Sequence, residues 1–252
     1  MELTATGPRH DRTFMFVDAG DGAFLSQRQH SGLAAIEPSV EGSEPDLVLS
    51  LRAEGAGDLR LDVTPEGPRR TVSLFKNWSG EAIDQGDAVA EWASALIGRG
   101  VRLVRVPLDH DRMVDAHHGP STFQDSTQVH LTSQDSLADL NGRIAERGAD
   151  PVPMDRFRPN IVTTGWNEPF AEDDVRAYAI GDAELGWVKP DIRCKVTMVD
   201  QQTGTSVGPE PLRTLATFRR YDDLGGVGFG VKLRVDRPGI LTVGDELRYE
   251  SA

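Results

Sequence analysis

The chain has 252 residues, the length of one large domain or two small ones at about 100–200 residues per domain. Hydrophobic residues make up 38% and charged residues 27%, with 26 glycines and 15 prolines, so collagen-like, coiled-coil and wholly disordered classes are set aside in favour of a turn-rich globular chain. Twenty-seven Lys and Arg against 40 Asp and Glu give a formal charge of -13, which repels a phosphate backbone, and no run approaches the roughly 20 apolar residues of a membrane span, so neither nucleic acid nor a bilayer is an expected partner.

In chain order, Met1–Asp11 lacks the basic start and apolar centre of a signal peptide, which makes the cytoplasm the default address. Short β-like runs follow at 13–17, 47–51, 59–63 and 71–75, several alternating apolar and polar, with Gly/Asp-rich turns between them. Val89, Trp92, Ala93, Leu96 and Ile97 recur at helical spacing, predicting a helix capped by Asp87 and stopped by Gly98. Val101–Val106 reads as a strand and Pro107–Phe123 as a polar loop. A second helix runs from a Ser133 cap through Leu137, Leu140 and Ile144 to Gly148. Beyond Asp150, strands are expected at 161–164, 183–188, 195–199, 227–235 and 240–243, with one short helix at 212–219. The expected class is mainly β with some helix (α+β). A small N-terminal β domain (1–106) precedes a β-barrel domain (107–252), the boundary falling near Arg99–His118.

The glycine run Gly225–Gly230 continues as a β-like segment and opens no helix, so it reads as a bulged strand and not a dinucleotide loop. His110, His117 and His118 lie near Asp109, Asp111 and Asp115, but in a loop without helical presentation of ligands, and are read as a solvated loop. Neither G-x-S-x-G nor a P-loop occurs, so hydrolase and NTPase readings lack support. An acidic chain must hold an anionic ligand with local arginines and backbone N–H groups. Arg156, Arg158 and Asn160, just before a β-run, are planar donors suited to that task, against the alternative of an exposed arginine pair. The single cysteine, Cys194, rules out an intrachain disulfide and a cysteine-rich metal site built from this chain alone. Arg193 and Lys195 flank it and would favour its thiolate, yet in a strand both point to the opposite face, so a functional thiol and a buried structural one both stay open.

Several motifs together resemble one family. Arg12–Asp18 with Phe24–His30, then Ser136–Asn141, Arg156–Val162, Ile180–Leu185, Arg193-Cys194, Val199–Gly204 and Glu210–Leu215 follow, in order, the pattern of MOSC proteins and within them of the amidoxime-reducing components. The resemblance implies a MOSC N-terminal β-barrel followed by a MOSC domain. It implies a molybdenum cofactor (Mo-molybdopterin), with Cys194 as metal ligand at the catalytic centre and cofactor contacts from Arg12, Asp125, Ser126, Thr127, Arg158, Asn160 and Arg193. The family's opening strand, which carries a Lys-Ser pair, would lie ahead of Met1. Ile192 and Gln128 stand where many relatives carry other residues, a proline or small polar residue at the first and a proline at the second. The chain ends where the MOSC domain normally closes, without a ferredoxin domain. The implied activity is therefore reduction of a small N-hydroxylated substrate with electrons from a separate donor: a ferredoxin, a flavin reductase or a b-type cytochrome system. The alternatives are a sulfur-transfer or cofactor-carrier protein with a persulfide on Cys194, and a barrel that has lost its cofactor and serves as an interaction module.

Overall fold

A computed structural model describes residues 1–75 and 78–251. The chain opens with a small antiparallel arm, β1 (Glu2–Thr4) and β2 (Gly7–Pro8). In β3 (Phe14–Asp18) the alternation buries Met15 and Val17. Next come β4 (Glu37–Glu41), β5 (Val48–Ala53) and β6 (Gly57–Asp62), an antiparallel three-stranded sheet whose inward Leu49, Leu51 and Ala53 join one apolar cluster. Then β7 (Arg69–Leu74), β8 (Trp78–Asp84), α1 (Asp87–Ile97) and β9 (Val101–Arg105) follow, and a second antiparallel sheet forms in the order β3-β9-β8-β7.

Helix α1 ends as expected, with Gly98 at φ +76, a conformation that costs glycine little. Its start differs from the reading above: Gly86 is the cap and Asp87 the first helical residue. Asp84 Oδ1 accepts the Gly86 N–H at 2.8 Å, leaving the Asp87 carboxylate to pair with Arg102 at 2.7 Å.

The second half comprises β10 (Val129–Ser133), α2 (Gln134–Glu146), β11 (Ile161–Thr163), β12 (Val175–Ile180), β13 (Ala183–Arg193), α3 (Leu212–Leu215), β14 (Arg220–Tyr221), β15 (Gly226–Arg237), β16 (Gly239–Ile240) and β17 (Leu247–Ser251). Among the described residues these build a seven-stranded sheet in the order β11-β10-β15-β13-β12-β17, with β14 on β15; only β10 and β11 run parallel. The Ser133 cap forms, its Oγ accepting from Ser136 N at 2.9 Å, and Leu137, Leu140 and Ile144 face inward. The glycine run lies in β15 as a strand, where a Cβ on Gly230 would sit 2.5 Å from the Leu131 carbonyl.

Three elements depart from expectation. Residues 195–198 form a 3-10 turn instead of a strand, because the Cys194 carbonyl accepts from both the N–H and the hydroxyl of Thr197 (3.1 and 3.0 Å). The helix at 212 stops after Leu215, and the run 240–243 pairs only at Gly239–Ile240. Strands β4, β8, β10, β12 and β17 escaped period-two reading. In β10 all five residues, Val-His-Leu-Thr-Ser, are buried, so no alternation exists to be read.

The N-terminal arm docks on the second half. Leu3 pairs with Gly239 and is buried among Val129, Leu131, Val231 and Leu233. Leu3→Ala should lower stability by about 2–4 kcal/mol, measured by urea unfolding, because it opens a cavity in that core. A change below 0.5 kcal/mol would mean that the arm is not part of it.

Candidate cofactor site

A concavity of about 840 Å³ lies between the two halves of the chain, within the usual range of ~300–1,000 Å³ for ligand sites. Its wall carries six arginine or lysine side chains (Arg9, Arg12, Arg28, Arg158, Arg193 and Lys232) against three aspartates (Asp11, Asp125 and Asp191). The charge balance of the chain is thus inverted inside its main cavity.

Local conformation aims these groups. Arg12 and Arg158 both have φ +55, and His10 and Phe75, also on the wall, have φ +66 and +54. Four of the five non-glycine residues with positive φ among the described residues therefore border one cavity, and such strain persists where the surroundings impose it. Around Arg12 the Phe123 N–H donates to the Arg12 carbonyl at 3.1 Å, and Gln124 Nε2 donates to the Thr6 carbonyl at 2.8 Å. Gly7, at φ +109, lets the arm come so close that a Cβ would lie 2.8 Å from the Gln128 carbonyl. Segment 6–12 thereby holds the Asp125-Ser126-Thr127 turn from behind. Gln128 reinforces it by donating to the carbonyls of His118 (2.9 Å) and Pro120.

Arg158 follows the 3-10 turn Met154–Phe157 and lines the concavity as an exposed residue, its Nη1 donating to Gln201 Oε1 at 3.2 Å. Its pKa is pushed down to about 10, by burial first and then by the positive charge of Arg12. Arg193 is pushed down to about 10 by burial, opposed by Cys194 and Asp125. Its Nη2 donates to the Phe157 carbonyl at 2.7 Å, its Nη1 pairs with Asp191, and its Nε has no partner. Burial works against charge on Asp125, but Lys232 at 3.1 Å, then Arg12 and Arg28, hold its pKa below the ordinary value. Beneath them His130 is held well below its usual pKa by burial and by Arg193, so it is neutral. Its Nε2 lies 3.2 Å from the Phe229 carbonyl and 3.3 Å from Asp191.

Cys194 sits just past the end of β13, half-buried on the cavity wall. Leaving the strand frees its sulfur from the strict alternation that the strand reading assumed. Its Sγ accepts a hydrogen bond from Arg28 Nε at 3.3 Å, and the Arg28 guanidinium in turn lies 4.8 Å over the Phe75 ring.

Arg12, Asp125, Thr127, Arg158, Asn160, Arg193 and Cys194 converge on this wall, while Ser126 lines an adjoining cleft. Asn160 acts as a clasp: its Oδ1 accepts from His130 N at 2.9 Å and its Nδ2 donates to Asp11 at 3.2 Å. Arg156 is buried with its Nε on the Thr197 carbonyl at 2.8 Å, outside the cavity lining. The histidine loop is elsewhere engaged, His110 with the Ser121 carbonyl and His118 with Asp115. Arg28, Asp191 and Lys232 escaped sequence reading. Arg28 stood inside a quoted motif, but its approach to Cys194 spans 166 residues.

The residues present suit an anionic, sulfur-ligated group. Ser126 Oγ, Thr127 Oγ1, Arg193 Nε and Gln27 Oε1 are buried without hydrogen-bond partners, and unpaired buried polar atoms of this kind are costly unless a ligand completes them. The fold and site define a β protein with a cation-lined, thiol-bearing pocket.

The chain belongs to the MOSC family: a MOSC N-terminal beta barrel domain matches residues 1–100 and a MOSC domain residues 118–248. It is 33% identical to mitochondrial amidoxime-reducing component 1 of Mus musculus, over 97% of this chain and 74% of that protein, and 31% identical to the Homo sapiens counterpart, over 97% and 75%. It is also 30% identical to molybdenum cofactor sulfurase 1 of Aedes aegypti, over 92% of this chain but 30% of that one. No helix among the described residues is long and apolar enough to cross a membrane.

Arg158 carries charge against its surroundings, and the sign of its pKa shift fixes a test. A cation whose folded-state pKa is lowered opposes folding wherever it is protonated in both states, so this penalty is constant up to about pH 10 and fades only above it. Arg158 is exposed and its Nη1 donates to Gln201 Oε1 at 3.2 Å, so solvent screens most of that penalty, and Arg158→Met should change the melting temperature little, and equally at pH 7 and pH 9. If a pterin occupies this cavity, the same variant should lower its content in purified protein on the order of tenfold, read by fluorescence of the oxidised pterin, through loss of a charge-assisted contact.

Proposed function

We propose that this protein reduces N-hydroxylated compounds, with a molybdenum cofactor seated in the cation-lined cavity and bound through Cys194. The observation that carries this reading is the single thiol opening onto a pocket of arginines in an acidic chain. Its support from kinship is the 33% and 31% identity to amidoxime-reducing components along nearly the whole chain.

Within this reading, Cys194 supplies a thiolate suited to a soft metal. Arg12 and Arg158 offer planar guanidinium forks to a phosphate-bearing pterin, and Arg193, braced by Asp191 and the Phe157 carbonyl, adds a fixed positive charge whose Nε has no partner. Thr127 and Ser126 bring hydroxyls with unspent hydrogen-bonding capacity. Asn160 keeps this wall in register by tying β10 to the segment after Arg158 and to Asp11. When bound, the cofactor supplies the two-electron chemistry that removes oxygen from nitrogen. In the net reaction an N-hydroxyl compound takes up two electrons and two protons, its N–O bond breaks, and an amine or amidine and water leave. The electrons come from a separate donor protein: a ferredoxin, a flavin reductase or a b-type cytochrome system.

A second reading, sulfur transfer or cofactor carriage through a persulfide on Cys194, draws on the sulfurase relatives that match 92–93% of this chain. One experiment separates the two. Cys194→Ala should abolish benzamidoxime reduction with reduced methyl viologen as donor and strip the bound molybdenum, while unfolding free energy changes by only about 1 kcal/mol because little volume is lost. Retained activity in that variant, or cyanide-releasable sulfur in place of molybdenum in the wild type, would replace the reductase reading with the second.

A further inference from the structure

A second cleft, of about 500 Å³, adjoins the first cavity and shares with it Arg28, whose Nε donates to Cys194 Sγ at 3.3 Å. It shares five lining residues with that cavity, among them Arg28, Asp125 and Lys232, and adds Ser126 and Lys189. Lys189 on β13 and Lys232 on β15 are direct register partners, two like charges opposed across an antiparallel pair. Such a pair is destabilising unless something neutralises it. Lys232 is neutralised, by Asp125 at 3.1 Å and Asp191 at 3.6 Å. For Lys189 no carboxylate lies within ion-pairing distance among the described residues, although the side chain is half-buried and its pKa is lowered by burial and by Lys232.

The backbone presents this lysine by design of the strand: the β13–β15 register slips between Trp187 and Lys189, and again between Pro190 and Ile192, so bulges flank it on both sides. Bulges of this kind re-aim side chains beside active sites. The rim of the cleft is apolar, with Phe75 38% and Leu224 40% exposed. An unpaired cation beside an apolar rim fits an organic molecule with one anionic end.

We infer that this cleft is a substrate subsite, in which Lys189 receives a carboxylate or phosphate and the N-hydroxyl end points toward Cys194. The substrate class is then anionic N-hydroxylated compounds. This inference rests on the proposed reductase reading for the chemistry, but the anion subsite itself is measurable without turnover.

Two probes differing in one group decide it: benzamidoxime and 4-carboxybenzamidoxime. Calorimetric titration of purified holoprotein without electron donor should show the carboxylated probe binding about tenfold more tightly, as expected of a charge-assisted contact. Lys189→Gln should bring that affinity ratio close to one, Lys189→Arg should keep most of it, and inorganic phosphate should compete with the carboxylated probe more than with the neutral one. In turnover, the same preference should lie in KM and not in kcat. If neither probe is reduced but the affinity ratio and its loss in Lys189→Gln persist, the reductase reading fails and the anion subsite stands. Equal affinities in the wild type, a ratio unchanged by Lys189→Gln, or no competition by phosphate would overturn the subsite. A fall in pterin content in Lys189→Gln comparable to that in Arg158→Met would overturn it too, by assigning Lys189 to the cofactor's phosphate.

Discussion

The constraint on which the rest of this structure depends is the gathering of cations around one cavity of an acidic chain. Arg158 and Arg193 are both depressed to about pKa 10 by burial, and Arg158 also feels Arg12. Guanidinium groups remain charged even so. Holding them together without an anion costs folding free energy, and the surrounding hydrogen bonds offset only part of that cost. The Phe157 carbonyl and Asp191 occupy two nitrogens of Arg193 and leave the third unpaired.

That constraint explains why both halves of the chain are needed for one cavity. Arg12 and Arg28 come from the N-terminal half, and Asp125, Arg158, Arg193 and Cys194 from the second. The arm at 1–8 is anchored by Leu3 in the second half's core, and segment 6–12 then presses on the 122–128 turn. Strained φ values at His10, Arg12, Phe75 and Arg158 mark where the backbone yields so that side chains can converge. The long strands β13 and β15 do the complementary work: their bulges place Lys189, Asp191 and Arg193 toward one end, and the turn after Arg193 releases the Cys194 sulfur to the wall.

The sequence by itself determined the elements whose signals are local. The β class, the alternating strands at 14–18 and 48–53, the Gly98 stop, the Ser133 cap and the nature of the glycine run as strand could all be read, because each depends on residues a few positions apart. The resemblance to the MOSC pattern pointed to Arg12, Asp125, Ser126, Thr127, Arg158, Asn160, Arg193 and Cys194; all but Ser126, which lines the adjoining cleft, lie around one cavity. Only the tertiary structure decided the rest. Strand β10 carries no period because both its faces are buried. The turn at 195–198 overrides a β-like run because Thr197 bonds back to Cys194. The contact of Arg28 with Cys194 and the opposition of Lys189 and Lys232 depend on pairings between residues 166 and 43 positions apart, which leave no trace in neighbouring residues. Charge composition could say that an anion would need local arginines; which arginines lose their solvent, and which lysine is left without a partner, follows from burial, a property of the folded chain alone.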